Sequence, residues 1–256
     1  MLAALMLAVF TISVGFGILL PQLPDLIERL LGVASTAEQV SRATGLLTAL
    51  YMFALFLFAP FWGRLSDQWG RRPVLLIGLV GFATTMLSFA VFDTLTAVYV
   101  ERALSGLFAA AVTPVALAAV TDVSATKAEL GRRLTFVSLA GISGFLLGPT
   151  LGVALTRGLG GLGGAAGALA VPLVATGGLA LIAALAVALT VRLAVATPPD
   201  AREVAVTSEP GLVRWLLALG FVVSAGVAVF EVGLALRGKQ ELGLTPAQIA
   251  AMFTLC

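Results

Sequence analysis

Histidine is absent from the 256-residue chain, and the one cysteine, Cys256, is its last residue. Without imidazole, His general-base catalysis and His metal ligation are excluded. With a single thiol, neither an intrachain disulfide nor a Cys-based metal centre can form. No metal and no cofactor are expected. Charge is scarce too: 15 Lys/Arg and 13 Asp/Glu make up 11% of the residues, against about 25% in an ordinary soluble domain. Mean hydropathy is +1.09. Together these values exclude a soluble enzyme, a disordered chain and a nucleic-acid binder. Period-2 alternation of polar and apolar residues is also missing, which excludes a transmembrane barrel.

What the chain does have is long runs without charge. A bilayer core about 30 Å thick takes about 20 apolar helical residues to cross. The charge-free runs are 1–24, 43–63, 73–92, 103–121, 134–156, 158–191 and 215–230. Backbone satisfaction in lipid makes these α-helices. The sixth run opens on a glycine cluster, Gly158 to Gly167, which reads as a turn and leaves about 169–191 for the helix. The seventh extends past Glu231 to Leu236, giving seven spans. Thr245-Pro246 begins a possible eighth that stops after about three turns. The N-terminus lacks a positively charged leader segment and has Pro21 and Pro24 where a cleavage site would fall, so it is expected to remain as the first span.

Loop charges set the expected orientation. Loops 2–3, 4–5 and 6–7 hold nine Lys/Arg, and the loops on the other side hold five. The positive-inside rule then puts the N-terminus in the cytoplasm. The polar stretch 192–214, with Pro198-Pro199, reads as a cytoplasmic linker. It would join a bundle over 1–191 to the start of a second bundle over 215–256.

Several segments carry patterns that turn chemistry does not explain. Loop 2–3 reads Gly63-Arg-Leu-Ser-Asp67-Gln-Trp-Gly70-Arg71-Arg72-Pro73. Span four contains Arg102-Ala-Leu-Ser-Gly106, then Thr113-Pro114, and ends at Asp122. Arg102, Ser105/Gly106, Ala109 and Thr113 would share one face of a continuous helix. An Arg inside a span is costly unless it faces a polar cavity or snorkels to the surface beside Glu101, and both arrangements remain open. Span five has Gly141, Gly144, Gly148 and Gly152 in one stripe that admits a closely packed helix, with Pro149 expected to bend it. Span one ends Pro21-Gln22-Leu-Pro24-Asp25, where the prolines either bend the helix or end it. Gln22 is a candidate for the cavity mouth. Glu231, about 25 Å of helix beyond Arg214, is either a surface carboxylate or a proton carrier. Phe10, Phe16, Tyr51, Phe53 and Phe145 suit a cavity for amphipathic cations or ordinary packing.

The loop 2–3 segment resembles the signature of the major facilitator superfamily of secondary transporters, with Gln68 where that family usually has Arg. The resemblance implies that Gly63, Asp67, Gly70, Arg71 and Arg72 form a cytoplasmic gate, with Asp122 contacting the loop 2–3 arginines. Arg102-x-x-x-Gly106 resembles the fourth-span motif of the family's proton antiporters, which implies proton coupling at Arg102, with Glu231 a further candidate. Gly144, Gly148, Pro149 and Gly152 resemble the fifth-span motif of the drug:proton branch, although Val153 departs from its final Gly. Pro21 and Pro24 match the bend that closes span one in that branch.

The expected fold is therefore an all-α polytopic membrane protein of major facilitator type: one six-helix bundle, a seventh helix and part of an eighth. Such a chain looks like about two-thirds of a transporter, whose substrate site would lie between two bundles. The expected function is proton-coupled export of small amphipathic molecules by alternating access. The alternatives are a sugar or metabolite carrier of the same superfamily, or a non-transporting membrane fragment. The expected partners are the lipid bilayer, a small-molecule substrate and protons. The expected location is a bacterial cytoplasmic membrane.

Overall fold

The computed structural model describes residues 1–32, 35–89, 94–159 and 164–191. Beyond these it describes positions 211, 215, 218, 219, 222, 225, 226, 229, 230, 233, 234, 236–238, 242–245, 248, 249, 251 and 252. Its helices are α1 (Leu2–Leu19), α2 (Leu23–Leu31), α3 (Ala37–Trp69), α4 (Arg71–Phe89), α5 (Leu95–Ala109), α6 (Thr113–Asp122), α7 (Lys127–Leu159) and α8 (Gly164–Thr190). A 3₁₀ turn over Leu20–Gln22 joins α1 to α2. Six stretches are long and apolar enough to cross a bilayer: Leu2–Leu31, Ala37–Trp69, Arg71–Phe89, Leu95–Asp122, Lys127–Gly158 and Ala170–Thr190. They correspond to the first six charge-free runs. The described positions from Gly211 to Gly238 are helical where the seventh span is expected. The turn at the expected eighth helix is capped reciprocally, the Thr245 amide donating to Gln248 Oε1 and the Gln248 amide to Thr245 Oγ1. Apart from Gly211, the expected linker 192–214 lies outside the described residues, as does Glu231.

The helices outrun the charge-free runs. At 33 residues each, α3 and α7 are about 50 Å long, well over the ~30 Å hydrocarbon core. Charged residues near their ends therefore sit on projecting helix rather than in loops. The helix starts follow local sequence. Thr36 and Gln39 form a reciprocal capping box at the start of α3, and Thr94 accepts from the Ala97 amide at the start of α5. Each uses a side-chain oxygen to satisfy an amide that has no intrahelical partner.

α1 is apolar all round and lies at the centre of the bundle, with Leu5, Ala8 and Ile18 fully buried. Such a helix buries every face. Against α7 the backbones come almost into contact. A methyl group built on Gly148 would stand 2.9 Å from Gly17 Cα and 2.9 Å from the Val14 carbonyl; one on Gly144 would stand 2.5 Å from the Phe10 carbonyl. The glycine stripe thus serves the α1–α7 interface, where dispersion between closely approaching backbones replaces the hydrophobic effect that lipid does not supply. On its other side Gly15 receives the Phe82 ring of α4 and Thr176 of α8. Four buried threonine hydroxyls are satisfied within their own helices: Thr11, Thr44, Thr48 and Thr176 each donate to the carbonyl four residues earlier at 2.7–3.0 Å. This is a way to carry a polar group through lipid.

Three sequence expectations need correction. The glycine cluster is not a turn throughout: α7 runs to Leu159 and α8 starts at Gly164, because small residues in an apolar setting still gain from intrahelical bonds that lipid cannot replace. Span one does not end at its prolines. It tightens for one turn and resumes as α2, with Pro24 in the first turn of that helix, where its missing N–H costs nothing. Gln22 does not reach a cavity mouth. It is buried, and its Nε2 lies 2.9 Å from where a Cβ on Gly152 would be.

Gly148→Ala therefore forces α1 and α7 apart. An overpacking cost of about 1–3 kcal/mol is expected to appear as a clear fall in the melting temperature of the detergent-solubilised protein. Gly45, with nothing within 4 Å of a built Cβ, is the control, and Gly45→Ala should leave the melting temperature unchanged or slightly raised.

Candidate functional site: two charge clusters on the fourth span

The loop 2–3 signature is almost entirely helical. α3 continues to Trp69, α4 begins at Arg71, and only Gly70 lies between them. Its φ of 90° explains the glycine, since this backbone region disfavours any residue with a Cβ. The segment is thus two helix ends meeting at one residue, not the loop the sequence suggested. Pro73 falls in the first turn of α4, where it needs no N–H partner.

This junction puts Arg71 and Arg72 at the N-terminus of a helix, where the macrodipole disfavours cations. Nearby anions compensate. Arg71 Nη1 donates to Asp67 Oδ1 at 2.5 Å and to Ser66 Oγ at 2.6 Å, and its Nε donates to Asp122 Oδ2 at 2.8 Å. Ser66 in turn donates to the Gly63 carbonyl at 2.7 Å. Arg71 is mostly buried, while Asp67 and Asp122 are substantially exposed. One guanidinium therefore ties the end of α3, the start of α4 and the end of α6. Arg72 is placed differently, with its buried Nε lacking a hydrogen-bond partner. Of the sequence-derived gate residues, Gly63, Asp67, Gly70, Arg71 and Asp122 come together around Arg71. Nearby, Arg133 binds Glu129 at 2.6 Å and the Val123 carbonyl at 3.1 Å, fixing the turn into α7.

The second cluster lies in the other half of span four. Arg102 is 2% exposed and Glu101 1%. Arg102 Nε donates to Glu101 Oε2 at 2.7 Å, and Nη2 to Oε1 at 2.9 Å. The guanidinium lies over the Tyr51 ring at 5.6 Å and the Phe89 ring at 5.0 Å. Tyr51 stacks on Phe16 at 5.2 Å, and Phe16 on Phe145 at 5.9 Å. Arg102 neither faces a polar cavity alone nor snorkels to a surface. Its partner is the adjacent Glu101, which the sequence reading named only as a neighbour in the surface alternative and missed as a site residue. The missed signal was the Glu-Arg dipeptide itself, since two opposite charges side by side in an apolar run can neutralise each other without a second helix.

Between the clusters the span breaks. Ala110–Val112 form a turn, and Thr113, expected on the same face as Arg102, is exposed. Pro114 removes an amide donor at the start of α6. The Ala111 amide bonds to Phe108 rather than Leu107, so the Leu107 carbonyl loses its helical donor. The buried Trp62 indole of α3 donates to that carbonyl at 2.7 Å. A carbonyl freed by a helix break is thus satisfied from the neighbouring span.

A family model described as Major Facilitator Superfamily matches residues 5–256. The chain belongs to that superfamily and is an integral membrane protein. It is 26% identical to Multidrug resistance protein 2 of Bacillus subtilis, over 96% of this chain and 60% of that protein. It is 36% identical to the class H Tetracycline resistance protein of Pasteurella multocida, over 55% of this chain and 34% of that protein. The chain thus spans three-fifths or less of the length of these relatives. The fold is shared with the human organic anion transporter MFSD10 (TETRAN), at TM-score 0.66 and 23% identity, over 99% of this chain and 68% of that one. It is also shared with the inward-open xylose transporter XylE from E. coli, at TM-score 0.63 and 13% identity, over 73% of this chain and 47% of that one.

Trp62→Phe keeps one aromatic ring but removes the pyrrole half of the indole with its N–H donor, leaving the Leu107 carbonyl without that partner and a small space beside it. A loss of about 1–3 kcal/mol is expected, read as a lowered melting temperature. An unchanged melting temperature would show that the bond to Leu107 contributes nothing to the break.

Proposed function

We propose that the protein built on this chain is a proton-coupled secondary transporter that exports small amphipathic molecules by alternating access. It would sit in a bacterial cytoplasmic membrane with its N-terminus inside. Residues 1–191 would be the N-terminal bundle, 192–214 the cytoplasmic linker and 215–256 the start of the C-terminal bundle. The observation that carries this reading most is Arg71 held between Asp67 and Asp122, a polar latch tying three helix ends at one face. A latch of partly exposed ion pairs contributes little to stability, so it can open and close at small cost. Gly63, Asp67, Gly70, Arg71, Arg72 and Asp122 would form the gate. Gly144, Gly148, Pro149 and Gly152 would pack α7 on α1, and Pro21 and Pro24 would bend span one. Arg102 and Glu231 are the coupling positions proposed from the sequence.

The names of the multidrug and tetracycline resistance relatives support export of drug-like molecules. A sugar or metabolite carrier is the second reading. It is favoured only by the shared fold with the xylose transporter, while the fifth-span Gly-Pro motif argues for export. Neither reading gives nucleic acid a part.

Cells expressing the protein from its complete reading frame should expel ethidium faster than control cells, and a protonophore should abolish the difference. Efflux that matches the control, or that ignores the protonophore, would overturn the proposal. Asp67→Asn removes one arm of the latch and is expected to lower efflux several-fold at equal abundance in the membrane.

A further inference from the structure

We propose that Glu101 is the group that takes up and releases the transported proton, with Arg102 as its fixed counter-ion. This rests on the reading of the protein as a proton-coupled transporter. Among the described residues, Glu101 and Arg102 are the charged side chains that are fully buried. An arginine does not give up its proton in proteins, so of the two only Glu101 can exchange one. Titratable and charged neighbours are few. α3 presents Tyr51, whose ring lies under Arg102. α4 presents Phe89 and keeps its charges, Arg71 and Arg72, at the opposite end. On α5 itself Tyr99 precedes the pair by two residues, with Arg42 of α3 acting on it electrostatically. From α2, Asp25, Glu28 and Arg29 line an open hollow with Ala37 and Val40 at the loop 1–2 end of the bundle. Glu101 lies only six residues after Leu95, the first residue of α5 at that same end, or about 9 Å of helix. The hollow and Glu101 thus lie towards the same end of the bundle, which is the side from which a proton would come.

The step is a proton transfer. A hydronium ion on the hollow side gives its proton to one Oε of Glu101, an O–H bond forms, and water is left. The carboxylate becomes neutral, and the pair changes from net zero to net +1. The bidentate contact is lost, because the protonated oxygen no longer accepts from the guanidinium. Arg102 is then left among aromatic faces, its charge uncompensated in a low-dielectric setting, which strongly destabilises the arrangement. On the same buried face, four residues after Glu101, stands Ser105, whose Oγ is buried, has no partner and offers the guanidinium an acceptor. Any shift of the guanidinium moves the Tyr51–Phe16–Phe145 stack beneath it, which joins spans two, one and five. Protonation at one residue is thereby converted into a change in how three spans pack. Release of the proton to the other side restores the closed pair.

Two measurements on the purified protein, expressed from its complete reading frame, test this. Infrared difference spectra between mildly alkaline and mildly acidic buffer should show a protonated-carboxyl band that is absent in Glu101→Gln and present in Glu101→Asp. Persistence of the whole band in Glu101→Gln would overturn the proposal. In proteoliposomes, a proton gradient should drive accumulation of ethidium or tetracycline by the wild type. The double variant Glu101→Gln/Arg102→Met leaves no buried charge unpaired, which keeps a folded test protein available if the single variant fails. It should let the probe equilibrate but not accumulate, giving an inside-to-outside ratio of one. Wild-type accumulation in the double variant would likewise overturn the assignment. A wild type that shows the Glu101 band but moves neither probe would instead overturn the transport reading, leaving Glu101 as a proton-binding group.

Discussion

A charge that enters hydrocarbon must be neutralised on the spot, carried to an edge, or not be there at all. This constraint shapes the whole molecule. It keeps most ionisable residues out of the spans, pushes them to helix ends and makes Glu101 and Arg102, buried within span four, cling to each other. Because the backbone is under the same pressure, every break in a helix has to be repaired by some other donor. The Leu107 carbonyl and the self-bonded threonine hydroxyls follow from that requirement as directly as the Glu101–Arg102 pair does.

Helix packing answers to a different limit. Lipid is as apolar as leucine, so apolar side chains gain little by exchanging lipid for protein, and close approach is what remains to be gained. The α1–α7 contact is built from glycines on both helices, and the Gly15 notch accepts an aromatic ring from a third. The centre of the bundle is therefore held by absence of side chains, while its edges carry the large apolar residues exposed on α3, α7 and α8.

Much of this was readable beforehand. Counting residues between charges located the six spans, because the cost of charge in a bilayer acts on sequence position alone. What escaped depended on reach and rotation, which spacing does not encode. Glu101 and Arg102 are about 100° apart around a helix, so spacing left open whether Arg102 faced a cavity or the surface, yet its long stem folds the guanidinium back onto its neighbour. The loop 2–3 signature was taken for a loop because Gly and Pro mark turns. Here they are a one-residue hinge and a first-turn proline, so the same residues describe two abutting helices. The break in span four was half visible in Pro114, but the indole that repairs it stands 45 residues away in sequence. No local rule brings it there.

That indole has a mechanical meaning. Span four carries the buried pair above its break and Asp122 below it, so the two halves could in principle swing independently about Ala110–Val112. Trp62 grips the upper half at its last turn from a helix that also runs down to Asp67. Any tilt of the upper half is transmitted along α3 as through a connecting rod, and it arrives at the same guanidinium that holds the lower half. The bundle has a joint in one span, but it closes the loop around that joint, so the joint cannot move without loading the latch at the far end.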